Sequence, residues 1–214
     1  KMRHVDLLEK RSNYGVKACP LSLVMGGTVK YKRESRNTTV IGGTTPNFTY
    51  VRNWNVSSGK FFRNEDVTAK RKVAIVGETI VRDLFRGSNP IGKEISIESK
   101  KFLVIGIAES KGRTFGRDID DLVAIPITTA QEILGSNTIN QILLKVSDPN
   151  DIEKAVHETK RLLEKEMDKE DFTVSTQGEL LSMFNTFANI LSVVMGCVAS
   201  ISMIVGGIGI MNIM

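Results

Sequence analysis

No residue after Glu179 carries a charge. That absence excludes a solvated tail, and the run at 190–214 exceeds the ~20 apolar residues a helix needs to cross a bilayer core of ~30 Å. A buried core helix of a soluble domain is the competing explanation, but such helices rarely run so far without a charge. The sequence also stops inside or just after this run, so it is expected to be a piece of a membrane protein.

Other shortages narrow the chemistry. The two cysteines, Cys19 and Cys197, lie one in the charged part and one in the apolar run, so no disulfide framework is implied. Either redox compartment suits a single soluble cysteine. The two histidines, His4 and His157, belong to no set with metal-ligand spacing. No G-x-S-x-G, H-E-x-x-H or Walker A pattern occurs, so catalysis and nucleotide hydrolysis are not expected of this chain. Asp118, Asp120 and Asp121 lack the glycine and terminal glutamate of a calcium loop. The polar first ten residues hold no secretory signal, so an upstream membrane helix would have to deliver the chain outside the cytoplasm.

What is present is concentrated before residue 179. All 29 Lys and Arg lie there, as do all but one of the 24 Asp and Glu. The net charge of +5 suits anionic lipid or nucleic acid in principle. The cations are interspersed with acids and not interleaved with aromatics, so a mixed, solvated surface is expected, with no nucleic-acid partner.

Strand-like and helix-like stretches alternate through this part. Strands are expected at 16–23, 28–32 and 38–41, with Gly26 and Gly27 breaking or bulging the run and a polar turn at 33–37. A helix with Thr45 as its cap and Pro46 in its first turn follows. A strand at 72–76, a turn at Gly77 and a helix at 78–85 come next. That turn could hold phosphate, but Glu78 puts a negative charge at the helix start, which favours a plain connection. A hairpin is expected across 95–108, a strand at 122–127 and a helix at 128–134 capped by Thr128 or Thr129. The last unit is a strand at 141–146, a helix begun by Asp148 and Pro149, and a strand at 172–176. The fold class is α+β, in two sublobes: 1–45 with 137–178 as a porter-like βαβ sublobe, and 46–136 inserted between them. Residues 179–214 form the stalk and membrane helix.

Two regions offer candidate functional residues. In the tail, Leu180, Phe184, Phe187 and Leu191 recur at alternating steps of four and three, a coiled-coil-like seam. A helix over 180–214 would be roughly 50 Å long, more than the bilayer core, so its first part should project as a stalk. Gly206, Gly207 and Gly209 suit close helix packing within the membrane. The second region is the loop at 110–121, with two glycines and no apolar period. Its Gly112, Arg113, Phe115, Asp118, Asp120 and Asp121 are candidates for partner contact.

Several motifs then carry a resemblance. I-G-G-T-T-P-N-F at 41–48, V-R-N-W at 51–54, S-G-K-F-F at 58–62 and V-A-I-V-G at 73–77 occur in order. L-F-R-G-S-N-P-I-G-K at 84–93, V-I-G-I-A at 104–108, the D-I-D-D before V-A-I-P-I-T-T-A, and the glycine-rich end at 200–214 follow. Together they resemble MacB-type ABC transporter permeases, from the extracytoplasmic domain into the second membrane helix. The resemblance implies a homodimeric, multi-pass protein of the bacterial inner membrane with residues 1–178 outside the cytoplasm. It implies that ATP and magnesium are bound by a fused or separate nucleotide-binding domain, with no cofactor in this chain. It further implies a membrane-fusion adaptor and an outer-membrane channel as partners where an outer membrane exists. Export of antibiotic, peptide or lipid-like substrates is the expected function. The alternative is a permease of the same architecture that transmits motion to an outer partner, such as a cell-wall hydrolase, without transporting anything.

Overall fold

The chain enters through α1 (Met2–Arg11), which buries Val5 and Leu8, and then runs into β1 (Lys17–Tyr31), a strand of 15 residues. The computed structural model describes residues 2–114, 117–135 and 137–211. Gly26 and Gly27 do not break β1. They fall where its register against β2 (Glu34–Thr44) shifts between Val24 and Gly27, so the pair makes a bulge. The turn between the two strands is only Lys32 and Arg33, with Lys32 at φ 52°. A two-residue hairpin turn demands that left-handed backbone. The polar residues expected in a longer turn therefore lie within β2.

Short elements follow: α2 (Asn47–Arg52), β3 (Val56–Gly59), α3 (Asn64–Thr68), β4 (Val73–Val76) and α4 (Glu78–Phe85). The hairpin β5 (Glu94–Ile97) and β6 (Lys100–Ala108) turns through Glu98 and Ser99, both at positive φ. A two-residue pair, β7 (Arg113–Thr114) and β8 (Arg117–Asp118), precedes β9 (Leu122–Pro126), α5 (Ile127–Leu134) and β10 (Gln141–Lys145). Neither Thr45 nor Thr128 caps a helix. Pro46 and Pro126 occupy those N-cap positions without side-chain hydrogen bonds. A 3-10 turn at Pro149–Asp151, capped by Asp148, leads into α6 (Ile152–Leu163), and α7 (Gln177–Met211) ends the chain. The strand expected at 172–176 is absent. Its residues alternate between half-buried and exposed, but among the described residues no neighbouring strand supplies ladder hydrogen bonds.

The mixed α+β class is thus observed. The strands pair in the order β10-β1-β2-β9-β4-β6-β3, and β5 joins β6 to the far end of β1 through Val29↔Ile97 and Lys30↔Ser96. The pairings β1-β2-β9-β4-β6-β5 therefore return to β1 and close a ring. Two contacts in it are parallel, β2 with β9 and β4 with β6. Strands from 1–45 and from 46–136 share this sheet. By compactness the chain divides into Lys1–Ala155 and Val156–Met214.

The core shows why the ring closes. Every strand of the ring sends side chains into one cluster: Val29, Ile41, Val123, Ile125, Ala74, Val76, Phe102, Val104, Ile95 and Ile97. Ile80, Leu84 and Phe85 of α4 complete it. Residues of opposite parity face outward, where Ile75 and Ala124 pack with Phe48, Trp54 and Phe62. Trp54 is buried there, and its indole N–H donates to the Glu109 carbonyl at 3.1 Å. Gly43 in β2 lets α5 lie against the sheet, since a Cβ there would sit 2.2 Å from that of Ala130.

Phe102 is 1% exposed inside the ring. Phe102→Ala is expected to cost about 3–5 kcal/mol of stability, read as an earlier urea transition in Trp54 emission. A midpoint equal to wild type would contradict the packed interior.

Candidate functional sites: an anchored loop and a charge-free helix

The stretch at 110–121 is fastened to the sheet through its carboxylates. Asp121 accepts two parallel bonds from Arg36 of β2, Nε to Oδ1 and Nη2 to Oδ2, both 2.9 Å. The same guanidinium also pairs with Asp83 of α4. Asp118 accepts from the Thr79 hydroxyl at 2.8 Å and from the Asp120 N–H at 3.0 Å. Asp120 accepts from the Ser110 hydroxyl and from the backbone N–H groups of Lys111 at 2.8 Å and Gly112 at 3.0 Å. Asp120 and Asp121 are buried. One arginine therefore joins a strand, a helix and the loop, using the bidentate geometry that makes arginine–carboxylate pairs strong.

Gly77 allows the close approach. It is the N-cap of α4, and a Cβ on it would lie 2.0 Å from the Asp120 carbonyl oxygen. The strand–glycine–helix turn is thus covered by the loop backbone. Beyond the anchors, Arg113↔Asp118 and Thr114↔Arg117 pair as a tiny hairpin, with Gly112 and Arg113 exposed. Phe115 lies outside the described residues. Of the six candidates in this loop, the three aspartates face inward as anchors, which leaves Gly112 and Arg113 on the surface. Sequence reading missed Arg36, Thr79, Asp83 and Ser110, because no local pattern links positions so far apart in the chain.

The electrostatics follow the geometry. Burial pushes the Asp120 carboxyl up, but the bonds from Ser110, Lys111 and Gly112 and the charge of Arg82 more than offset it and hold its pKa below the usual value. The hydrogen bond to Asp121 strengthens the hold of Arg36 on its proton. Elsewhere, burial raises the pKa of the Cys19 thiol, which sits 3.0 Å from the Thr44 hydroxyl. Among the described residues no group of three or more His, Cys, Asp or Glu is placed to hold a metal ion.

The second site is α7, a helix of 35 residues and therefore about 52 Å long. A reciprocal capping box starts it. The Glu179 N–H donates to the Thr176 hydroxyl at 3.0 Å, and the Thr176 N–H donates to the Glu179 carboxylate at 2.8 Å. The signal T-Q-G-E was available in the sequence and sets the start earlier than residue 180. Within residues 177–206 the most apolar window has a mean hydropathy of 2.1, and none of that window is buried. Leu180, Phe184, Phe187 and Leu191 are all exposed, from 47% to 71%. The hydroxyls of Thr186, Ser192 and Ser200 donate to carbonyls four residues earlier, so they need no water. A Cβ at Gly196 or Gly206 would meet nothing within 4 Å. Gly207 and Gly209 fall in the last turns of the helix.

Because the folded pKa of Asp120 is depressed, its contribution to stability is fully present above the unfolded carboxylate pKa of about 3.9 and is lost as pH falls through the folded value. Asp120→Ala is expected to lower stability at pH 7 by about 1–3 kcal/mol, since two backbone N–H groups lose their acceptor. It should also flatten the acid limb of a urea-midpoint profile taken from pH 7 to pH 2. An unchanged acid limb would count against the anchor.

Similarities to known proteins fit this geometry. Residues 1–162 match the family model described as the MacB-like periplasmic core domain. The chain is 37% identical over 198 residues to the macrolide export ATP-binding/permease protein MacB of Rhodospirillum rubrum, covering 91% of the chain and 30% of that protein. It is 32% identical over 181 residues to the pyoverdine export ATP-binding/permease protein PvdT of Pseudomonas aeruginosa, covering 81% of the chain and 27% of that protein. The chain thus spans under a third of these relatives. In fold it is similar to the periplasmic region of MacB from Actinobacillus actinomycetemcomitans, with TM-score 0.74, 18% identity, and 86% and 82% of the two chains covered. It is also similar to the extracellular domain of the transporter YknZ from Gram-positive bacteria, with TM-score 0.68, 16% identity, and 77% and 82% covered. On the family match and the identity to its relatives, the chain belongs to the MacB-like periplasmic core domain family.

Proposed function

We propose that this chain is the extracytoplasmic domain and second membrane helix of a permease in an ABC-type export system of the bacterial inner membrane. The observation that carries this reading is the union, in one chain, of the core-domain fold with a long, exposed helix that holds no charge after Glu179. The chain contributes no hydrolysis. ATP and magnesium are bound by a cytoplasmic nucleotide-binding domain, fused or separate, and the helix transmits the resulting motion. A continuous helix begun by a capping box suits that task, because its backbone groups are paired within the helix and the Thr186, Ser192 and Ser200 hydroxyls bond its own carbonyls.

Two copies of α7 meet along Leu180, Phe184, Phe187 and Leu191 outside the bilayer core and along Gly206, Gly207 and Gly209 within it. The exposed turn at Gly112 and Arg113 contacts an outer partner, with an adaptor and an outer-membrane channel completing the path where an outer membrane exists. The cargo is an antibiotic, peptide or lipid-like molecule, in keeping with the macrolide and pyoverdine named for the relatives.

Two experiments test this in the full-length protein. Phe184→Cys in a Cys197→Ala background is expected to give a covalent dimer under mild oxidation in membranes, whereas the neighbouring Met183→Cys should not. Equal cross-linking at both positions would contradict the seam. Gly206→Leu is expected to cut export to near background while Trp54 emission and the unfolding midpoint of the outer domain stay at wild-type values. Undiminished export would remove the packing role, and export that persists without an ATPase would remove the whole reading.

A further inference from the structure

A cavity of about 350 Å³ opens where the β1–β2 hairpin turns past the end of α4. Its floor is apolar: Leu84 and Phe85 are each 3% exposed, and the Tyr31 ring stacks on Phe85 with centroids 4.2 Å apart and planes at 30°. Its rim is cationic, formed by Lys32, Arg33 and Arg86. Lys93 adds a further charge, with Nζ 5.5 Å from the Phe85 ring and 5.7 Å from that of Tyr31. Lys32 Nζ lies 5.3 Å from the Tyr31 ring. Glu34 is the only carboxylate in the lining, and Arg86 already pairs with it at 2.7 Å. Among the described residues Lys32, Arg33 and Lys93 form no ion pair. The hairpin turn and the helix end fix this rim in place, since Lys32 and Arg86 both hold left-handed backbone, at φ 52° and 53°.

The geometry points to a binding site for a small aryl anion, a phosphate or carboxylate carried on a planar apolar body. The Tyr31 ring, backed by Phe85, offers a flat apolar surface, and three cations without ion pairs stand around it. A planar body lies on the Tyr31 ring at the edge of the apolar floor, and its anionic group lies against Lys32 and Arg33, where the guanidinium binds such groups in two-pronged fashion. Lys93 stays over the aromatic faces, as cations do at short range from a ring. The volume falls at the small end of ligand pockets, about 300–1,000 Å³, so one two-ring molecule fits.

The test is calorimetric titration of the full chain in lipid nanodiscs with 1-naphthyl phosphate, alongside inorganic phosphate, 1-naphthalenemethanol and hexaglutamate. Saturable binding of one 1-naphthyl phosphate per chain is expected, tighter than any of the other three. Lys32→Ala with Arg33→Ala should weaken it by at least about tenfold, as for loss of charge-assisted hydrogen bonds. Both residues are exposed, so the Trp54-monitored unfolding of that variant should match wild type. Tyr31→Ala, which removes the stacked surface, should weaken 1-naphthyl phosphate more than inorganic phosphate. Absence of saturable binding, equal affinity for inorganic phosphate, or wild-type affinity in the Lys32/Arg33 variant would each overturn the site. Tighter binding of hexaglutamate would assign the rim to acidic polypeptide and overturn it as well.

Discussion

One strand must satisfy three neighbours, and the rest of the first unit depends on it. β1 pairs with β10 along Lys17 to Leu21, with β2 from Ser22 onward, and with β5 at Val29 and Lys30. Remove the last contact and the ring opens, exposing Ile95 and Ile97 along with the interior they cover. A straight strand could not serve both ends. The bulge at Gly26 and Gly27 bends it, with the extra twist such insertions bring. Pro20 is tolerated because β2 does not pair with that stretch, and its carbonyl is met by the Thr44 hydroxyl at 3.1 Å.

The loop anchors rest on that frame. Arg36 leaves β2 just beyond its hairpin turn, so the position of the guanidinium is set by β1 and β2 before it meets Asp83 and Asp121. Gly77 then permits the loop backbone to lie directly on the start of α4. A polar network of this kind, half-buried and well satisfied, fixes the loop root, while Gly112 and Arg113 beyond it stay exposed.

Local features of this architecture were legible in the sequence, and long-range ones were not. The strand at Val73–Val76, the turn at Gly77 and the helix at Glu78–Phe85 follow from apolar runs and a single glycine, all within reach of one another. The continuity of β1 was hidden because two glycines read equally as a break or a bulge. Closure of the ring was hidden because Val29 and Ile97 share no local pattern, and the same holds for Arg36 and Asp121. The strand expected at 172–176 fails for the opposite reason: local residue types describe a surface and do not supply a partner strand. In the helix, the capping residues Thr176 and Glu179 were visible as a motif, whereas the inward aspartates of the loop looked like surface charge. Proline at positions 46 and 126 took the N-cap places that threonine chemistry would have filled.

The long apolar helix gains its meaning from what its glycines fail to do. Glycine in a helix interior costs about 1 kcal/mol relative to alanine, and in the isolated chain Gly196 and Gly206 offset nothing, since a Cβ at either meets open space. The Ser192 and Ser200 hydroxyls on either side of Gly196 are already satisfied within the helix, so they do not call for water or a polar neighbour. Glu179, the last charge, sits in the first turn, where a carboxylate favours the helix start and completes the cap. The cap and three of the hydroxyls of α7 are therefore satisfied internally, and Gly196 and Gly206 add small residues with room beside them. Small residues of this kind suit close approach by another helix in lipid, which is why the proposed packing of two copies is placed at Gly206.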